Sequence, residues 1–168
     1  KEIYTSRRAH TGFDYCYPPI NTYAADSVLD EDMEDRIFLP NYRLISDPED
    51  TTFFGELFCE VMRGYTLVIV VGKDEIPSGT LGHMIDLAKQ YGVHLKLRRD
   101  LNDVEKFREI KRAKLVLFPS LCDNYVIPPV EAQYCNVRCV AFDLPALRET
   151  CGDSVYWAKH GDWTSFRD

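Results

Sequence analysis

Ala113-Lys-Leu-Val-Leu-Phe-Pro-Ser-Leu-Cys-Asp-Asn-Tyr-Val-Ile-Pro-Pro-Val-Glu131-Ala132 is the stretch from which the fold is read. Residues 115–118 are an apolar run of buried-strand length, and Pro128 and Pro129 suit the first turn of a helix, where a backbone N–H has no intrahelical partner. Two carboxylates, Asp123 and Glu131, therefore flank a strand-to-helix turn. That turn lies at the carboxyl end of a strand, where open α/β sheets hold their ligands. On spacing alone the pair fits a grip on a hydroxyl-rich ligand and a pair of acids complementing the helix dipole equally well.

Outward from this stretch the same cadence repeats. Apolar strands are expected over residues 37–39, 67–71, 94–97, 115–118, 139–142 and 155–157, and helices over 52–62, 81–91, 104–112 and 130–134. Phe53, Phe54, Leu57, Phe58, Val61 and Met62 recur at helical spacing, as do Leu81, Met84, Ile85 and Ala88. Asn102 followed by Glu105 reads as a capping box, and Asp162 as the N-cap of a helix just beginning. Buried strands separated by amphipathic helices imply an α/β domain with a single doubly wound, parallel, Rossmann-like sheet.

A chain of 168 residues, 45% hydrophobic, is long enough for one domain with a sizeable core. Its net charge of -7 offers no basic face, which argues against nucleic acid or an anionic bilayer as partner. The cysteines, Cys16, Cys59, Cys122, Cys135, Cys139 and Cys151, form neither a Cys-x-x-Cys pair nor a zinc spacing with histidine, so no metal is expected. Several replace apolar residues inside expected elements, which suits buried thiols in a reducing, cytoplasmic compartment. No apolar run reaches membrane-span length, and Lys1-Glu-Ile-Tyr4 is not a signal peptide. The missing initial Met and the helix opening at Asp162 read as a fragment of a longer protein. A dense acidic run, Asp26 to Asp35, marks residues 1–35 as a leader and inter-domain linker and 36–168 as the folded domain.

Five blocks in order, Ala113 to Ser120, Asp123-x7-Glu131-Ala132, Val140-Ala-Phe-Asp-Leu-Pro-Ala-Leu-Arg-Glu149, Gly152-Asp-Ser-Val-Tyr156 and Gly161-Asp162, resemble the C-terminal half of a family 4 glycosyltransferase of GT-B fold. The leader from Gly12 to Thr22 is similar to the segment by which such enzymes pass from the first Rossmann domain to the second. The resemblance implies a donor-binding domain for a nucleotide-diphosphate sugar, which is the donor substrate, with no separate cofactor. The parent enzyme would be a hexosyltransferase that transfers the sugar with retention to an acceptor glycan or other hydroxyl acceptor held by the N-terminal domain. It also assigns roles. Asp123 and Glu131 become the catalytic acids, the first meeting the sugar and the second the ribose. Backbone N–H groups of Asn124, Tyr125, Val126 and Ile127 would face the diphosphate at a helix N-terminus. Arg43 would clamp the diphosphate and Arg99 would border the base.

The chain departs from that pattern at three places. The turn reads Asn124-Tyr125-Val126 where glycines are usual, Asp123 is one methylene shorter than Glu, and Asp47, Glu49 and Asp50 stand where a second cation should follow Arg43. A catalytically degenerate GT-B-like domain, serving as a binding or assembly module, explains the same departures. A Rossmann epimerase acting on a nucleotide sugar is a further reading. Gly72-Lys73 and the helix opening at Ser78, Gly79, Thr80 and Gly82 fit neither a P-loop nor a dinucleotide fingerprint, and read as a turn and N-cap. Arg98 beside Arg99 equally fits a solvated basic pair. His10, His83, His94 and His160 have no Ser or Cys partner at readable spacing. Glu149 fits a capping role as well as a site role.

Overall fold

In the computed structural model of the chain, the structure describes residues 19–29, 32–41, 57–71, 76–121 and 127–168. Six strands, β1 (Arg36–Leu39), β2 (Thr66–Val71), β3 (His94–Arg99), β4 (Leu115–Phe118), β5 (Arg138–Phe142) and β6 (Tyr156–Ala158), form one sheet in the order β3-β2-β1-β4-β5-β6. Every pairing is parallel. The described helices are α1 (Thr22–Ser27), α2 (Ser78–Tyr91), α3 (Asp103–Arg112), α4 (Ile127–Tyr134), α5 (Pro145–Cys151) and α6 (Trp163–Arg167), with a 3-10 turn at Glu60–Met62.

Alternation along the strands builds two cores. Ile37, Leu39, Leu67, Ile69 and Val71 face one layer, with Met84, Leu87 and Ala88 of α2 and Phe166 of α6. Phe38, Val68, Val116, Phe118 and Cys139 face the other, with Ala24 and Ala25 of α1, Phe107 and Ile110 of α3, Ala132 of α4 and Leu147 of α5. The helix between β2 and β3 thus covers one face, and the three helices that link β3 through β6 cover the opposite one. This is double winding, and the chain changes direction between β1 and β4, its topological switch point.

The expected elements appear with shifts at their ends. Residues 115–118 form β4 as expected, and the Asn102–Glu105 capping box opens α3. Pro128 and Pro129 lie in the first turn of α4, which starts at Ile127 rather than at 130. Asp162 caps α6 through the N–H of Ser165 at 3.1 Å. Of the helix expected over 52–62, residues 52–56 lie outside the described ones and the end is the 3-10 turn. Ser78 is not a cap: Pro77 holds the N-cap position with extended backbone, and Ser78 to Gly82 already lie inside α2. Gly92 ends α2 at φ +67, a left-handed conformation that closes the last carbonyls without a Cβ penalty. Neither α1 nor α5 follows from apolar periodicity, because both are short, seven residues at most.

The described leader residues pack on the domain. Lys111 Nζ donates to the Val28 carbonyl at 2.7 Å and Tyr134 Oη to Asp26 at 2.9 Å. Glu34 receives Arg112 and Arg36, and Asp35 receives Lys114. The acidic run read as a solvated linker therefore carries cationic and hydroxyl partners on the domain at Asp26, Glu34 and Asp35. Beneath it, Arg36 (6% exposed) meets Glu109 (5% exposed) in a buried pair under α3. Cys139 and Cys151 are buried free thiols, as expected, and burial pushes Cys151 up to about 11.

Candidate functional site

Switch-point topology places a crevice at the carboxyl ends of β1 and β4. The loop leaving β1 runs through Pro40 and Asn41, and the residues that follow, Arg43, Asp47, Glu49 and Asp50 among them, lie outside the described ones. The loop leaving β4 runs through Pro119, Ser120 and Leu121. Asp123, Asn124, Tyr125 and Val126 then lie outside the described residues, and Ile127 opens α4. Ser120 is buried, and His160 meets the Leu121 carbonyl through Nε2 at 2.8 Å. His160 is packed edge-on against Phe142, so the loop after β6 anchors the residue that enters the turn.

Glu131 sits in the second turn of α4 and is 2% exposed. A carboxylate so placed needs a partner, since the desolvation of an unpaired charge is costly. Lys106 Nζ, from α3, supplies it at 2.6 Å from Oε1. The same ammonium reaches Asp103 Oδ1 at 3.0 Å, and Asp103 Oδ2 accepts from Asn21 Nδ2 at 2.8 Å. Asn21 Oδ1 in turn caps α1 by accepting from the Ala24 N–H at 3.0 Å. One chain of charge-assisted bonds thus runs from α4 through α3 to α1.

Electrostatics follow from that chain. Burial pushes the Glu131 carboxyl above its ordinary range, and the Lys106 ammonium opposes the push without cancelling it. Burial by itself would lower Lys106, but the bonds to Glu131 and Asp103 outweigh it and hold the amine above its usual value. Bonds from Asn21 and Lys106 keep Asp103 low. The result is a protonated amine between two acids, one buried and one open to water.

The other residues singled out by sequence spread along the sheet. Arg99 ends β3 and is exposed; β3 stands two strands from β1, roughly 10 Å across the sheet, on the same carboxyl edge as the crevice. Its neighbour Arg98 turns to α3, 3.7 Å from Glu109 and 3.9 Å from Glu105. Arg98 and Arg99 are thus divided by strand alternation rather than forming one basic patch. Glu149 is exposed on α5, while the adjacent Arg148 makes a two-pronged pair with Asp143, at 2.7 and 2.8 Å, and lies over Trp157. His83 and His94 are exposed, and Gly72 and Lys73 lie outside the described residues. Lys106, Asp103, Asn21 and His160 are the contributors that sequence reasoning missed. The available signal for Lys106 was its position three residues after Asp103 on an expected helix beside the next crossover.

Compared with family models and with curated proteins, the sequence matches none. Its structure matches solved ones. A glycosyltransferase from Rickettsia africae superposes with a TM-score of 0.58 at 12% identity, covering 77% of this chain and 35% of that one. The sucrose-phosphate synthase of Thermosynechococcus elongatus gives 0.57 at 16% identity, over 89% of this chain and 38% of that protein. The UDP-GlcNAc 2-epimerase of Neisseria meningitidis, solved with UDP-GlcNAc bound, gives 0.54 at 10% identity over 98% of this chain and 40% of its own. The likeness is one of fold. At these identities it establishes a Rossmann-like α/β domain and nothing finer, and the chain spans less than half the length of each of these proteins. Among the described residues no helix is long and apolar enough to cross a membrane.

Proposed function

We propose that this chain is the donor half of a GT-B glycosyltransferase of the family 4 kind, binding a nucleotide-diphosphate sugar at the β1/β4 crevice. The parent reaction is transfer of the sugar, with retention, to a hydroxyl acceptor carried by a second domain. The observation that carries the reading is Glu131, a carboxylate buried in the second turn of the helix that follows the switch-point strand, and partnered by a single described cation. Such a group is ready to accept from the two hydroxyls of a ribose, since a carboxylate has more acceptor sites than one ammonium fills. Support of a second kind comes from the solved structures, which include Anabaena HepE in complex with UDP and glucose, with a TM-score of 0.52, and the UDP-GlcNAc-bound epimerase.

Chemistry fits the same arrangement. As the bond from sugar to diphosphate opens, negative charge gathers on the departing phosphate, and N–H groups and cations aimed at it lower the barrier. Here Arg43 and the backbone N–H groups from Asn124 to Ile127 take that part, while Asp123 meets the sugar hydroxyls. The donor itself is the only small molecule the reaction calls for, and a reducing cytoplasm suits the chain's free thiols. A second reading, a degenerate domain kept for binding or assembly, is favoured by one observation: Asp47, Glu49 and Asp50 occupy the stretch that should bring a second cation to the diphosphate.

Calorimetric titration with UDP, GDP and their sugars separates the two. The transferase reading expects binding that Glu131→Gln weakens by about 1.5–3 kcal/mol, the range for hydrogen bonds to charged groups. A chain that binds none of these ligands is the degenerate module.

A further inference from the structure

The amine that holds Glu131 has a part in the site beyond neutralising a buried charge. We propose that Lys106 is the positioning residue of the nucleotide site, aiming the Glu131 carboxylate at the ligand's hydroxyls; this rests on the reading of Glu131 as the group that receives the ribose. Three observations carry it. The bond from Nζ to Oε1 is 2.6 Å, the length of a charge-assisted bond, and it joins helices from two successive crossovers, so it fixes the carboxylate relative to the crevice rather than to its own helix. Lys106 is itself held, by Asp103 at 3.0 Å, and Asp103 by Asn21 at 2.8 Å, so the amine is tied to a second acid as well as to Glu131. Its side chain is 24% exposed against 3% for Glu131, which places the cation on the open side of the pair.

The groups around the carboxylate make the pH response readable. From α3 it faces Lys106 and Asp103. In the core layer that receives Ala132 of the same helix, β5 and α5 contribute the thiols of Cys139 and Cys151, both raised by burial, and Arg148 of α5 is paired with Asp143. Among the described residues Lys106 is therefore the cation that opposes the burial of Glu131, and removing it drives the carboxyl further up. Binding that needs the carboxylate must then fail at a higher pH.

The test is UDP binding by calorimetry to the 168-residue chain across pH, for the wild type, Lys106→Met, Lys106→Gln, Lys106→Arg and Glu131→Gln. Lys106→Met is expected to weaken UDP about ten-fold or more and to move the acid limb of the binding profile to higher pH, whereas Lys106→Arg recovers to within about three-fold. Lys106→Gln, which keeps a donor without the charge, should show the same weakening and the same displaced limb, and it stands in for Lys106→Met should that variant fail to fold. Wild-type binding that is lost in Glu131→Gln but kept, with an unmoved pH profile, in Lys106→Met or Lys106→Gln overturns the proposal alone. A wild type that binds neither UDP nor, titrated in the same way, GDP, or a Glu131→Gln that binds as tightly, overturns the underlying reading and the proposal with it.

Discussion

Cutting the Glu131–Lys106 pair from its two ends has unequal consequences, and the inequality can be worked from burial. Lys106→Met removes the cation and leaves Glu131, with 3% of its side chain exposed, charged and without its described cation. Breaking a buried pair so that a charge is stranded costs about 3–5 kcal/mol of stability. Glu131→Gln leaves Lys106, but that amine is 24% exposed and still 3.0 Å from Asp103, so nothing is stranded. A loss within about 1 kcal/mol is expected there, the net worth of an ordinary hydrogen bond. The double variant Lys106→Met/Glu131→Gln should regain most of what Lys106→Met loses, as coupled sites do. Acid distinguishes the cause further. Burial raises the Glu131 carboxyl above its unfolded value, so the neutral form favours the folded state, and the loss in Lys106→Met must shrink as the pH falls through that raised pKa. Urea unfolding of the four proteins at pH 7 and at mildly acidic pH reads all of this. Equal losses from the two single variants, or a Lys106→Met deficit that grows on acidification, would refute the reasoning.

Glu109→Ala should destabilise the fold by about 3–5 kcal/mol, because buried Arg36 loses one of its two described acids and keeps Glu34, while Lys96 and Arg98 lose the carboxylate they shared with it; urea denaturation checks it, and a loss below 1 kcal/mol, roughly one hydrogen bond, counts against a working buried pair. Around Arg43, Glu49→Lys should tighten nucleoside-diphosphate binding and Arg43→Ala abolish it, with a salt dependence set by a Debye length of about 8 Å at physiological ionic strength; identical affinities in both variants and the wild type mean that this loop does not face the donor. Purified 168-residue chain should turn over no sugar, since it spans 35% to 40% of the proteins it resembles; measurable transfer to any hydroxyl acceptor would contradict this.

The fold was legible where one residue's pattern has one meaning. Val116 and Phe118 on one face of β4, with Leu117 on the other, can only be buried on both sides, and that already asks for a sheet with helices above and below. Asn102 and Glu105 could announce α3 because a capping box is a local device, complete within four residues. By contrast α1 and α5 are short enough that periodicity has no room to show. Their helical state comes from Asn21 acting as a cap, from Pro145 at the start of α5, and from the core that receives Ala24, Ala25 and Leu147.

The site divides in the same way. Glu131 was legible as a candidate because its distance from Asp123 and the prolines between them are properties of one segment. Lys106 was not, because it lies 25 positions before Glu131 and meets it only once both crossovers have landed on the same face of the sheet. Yet the topology makes that meeting obligatory rather than accidental: after β3 the chain crosses back over to β4 and continues to β5, so the helices of these two crossovers, α3 and α4, must lie side by side. An acid on the inner turn of α4 is then within reach of α3, and a cation at that height on α3 offsets its burial, as Lys106 does for Glu131. A Lys or Arg on the preceding helix is thus the natural partner of the conspicuous acid, and the choice among Lys106, Arg108, Lys111 and Arg112 needed the structure.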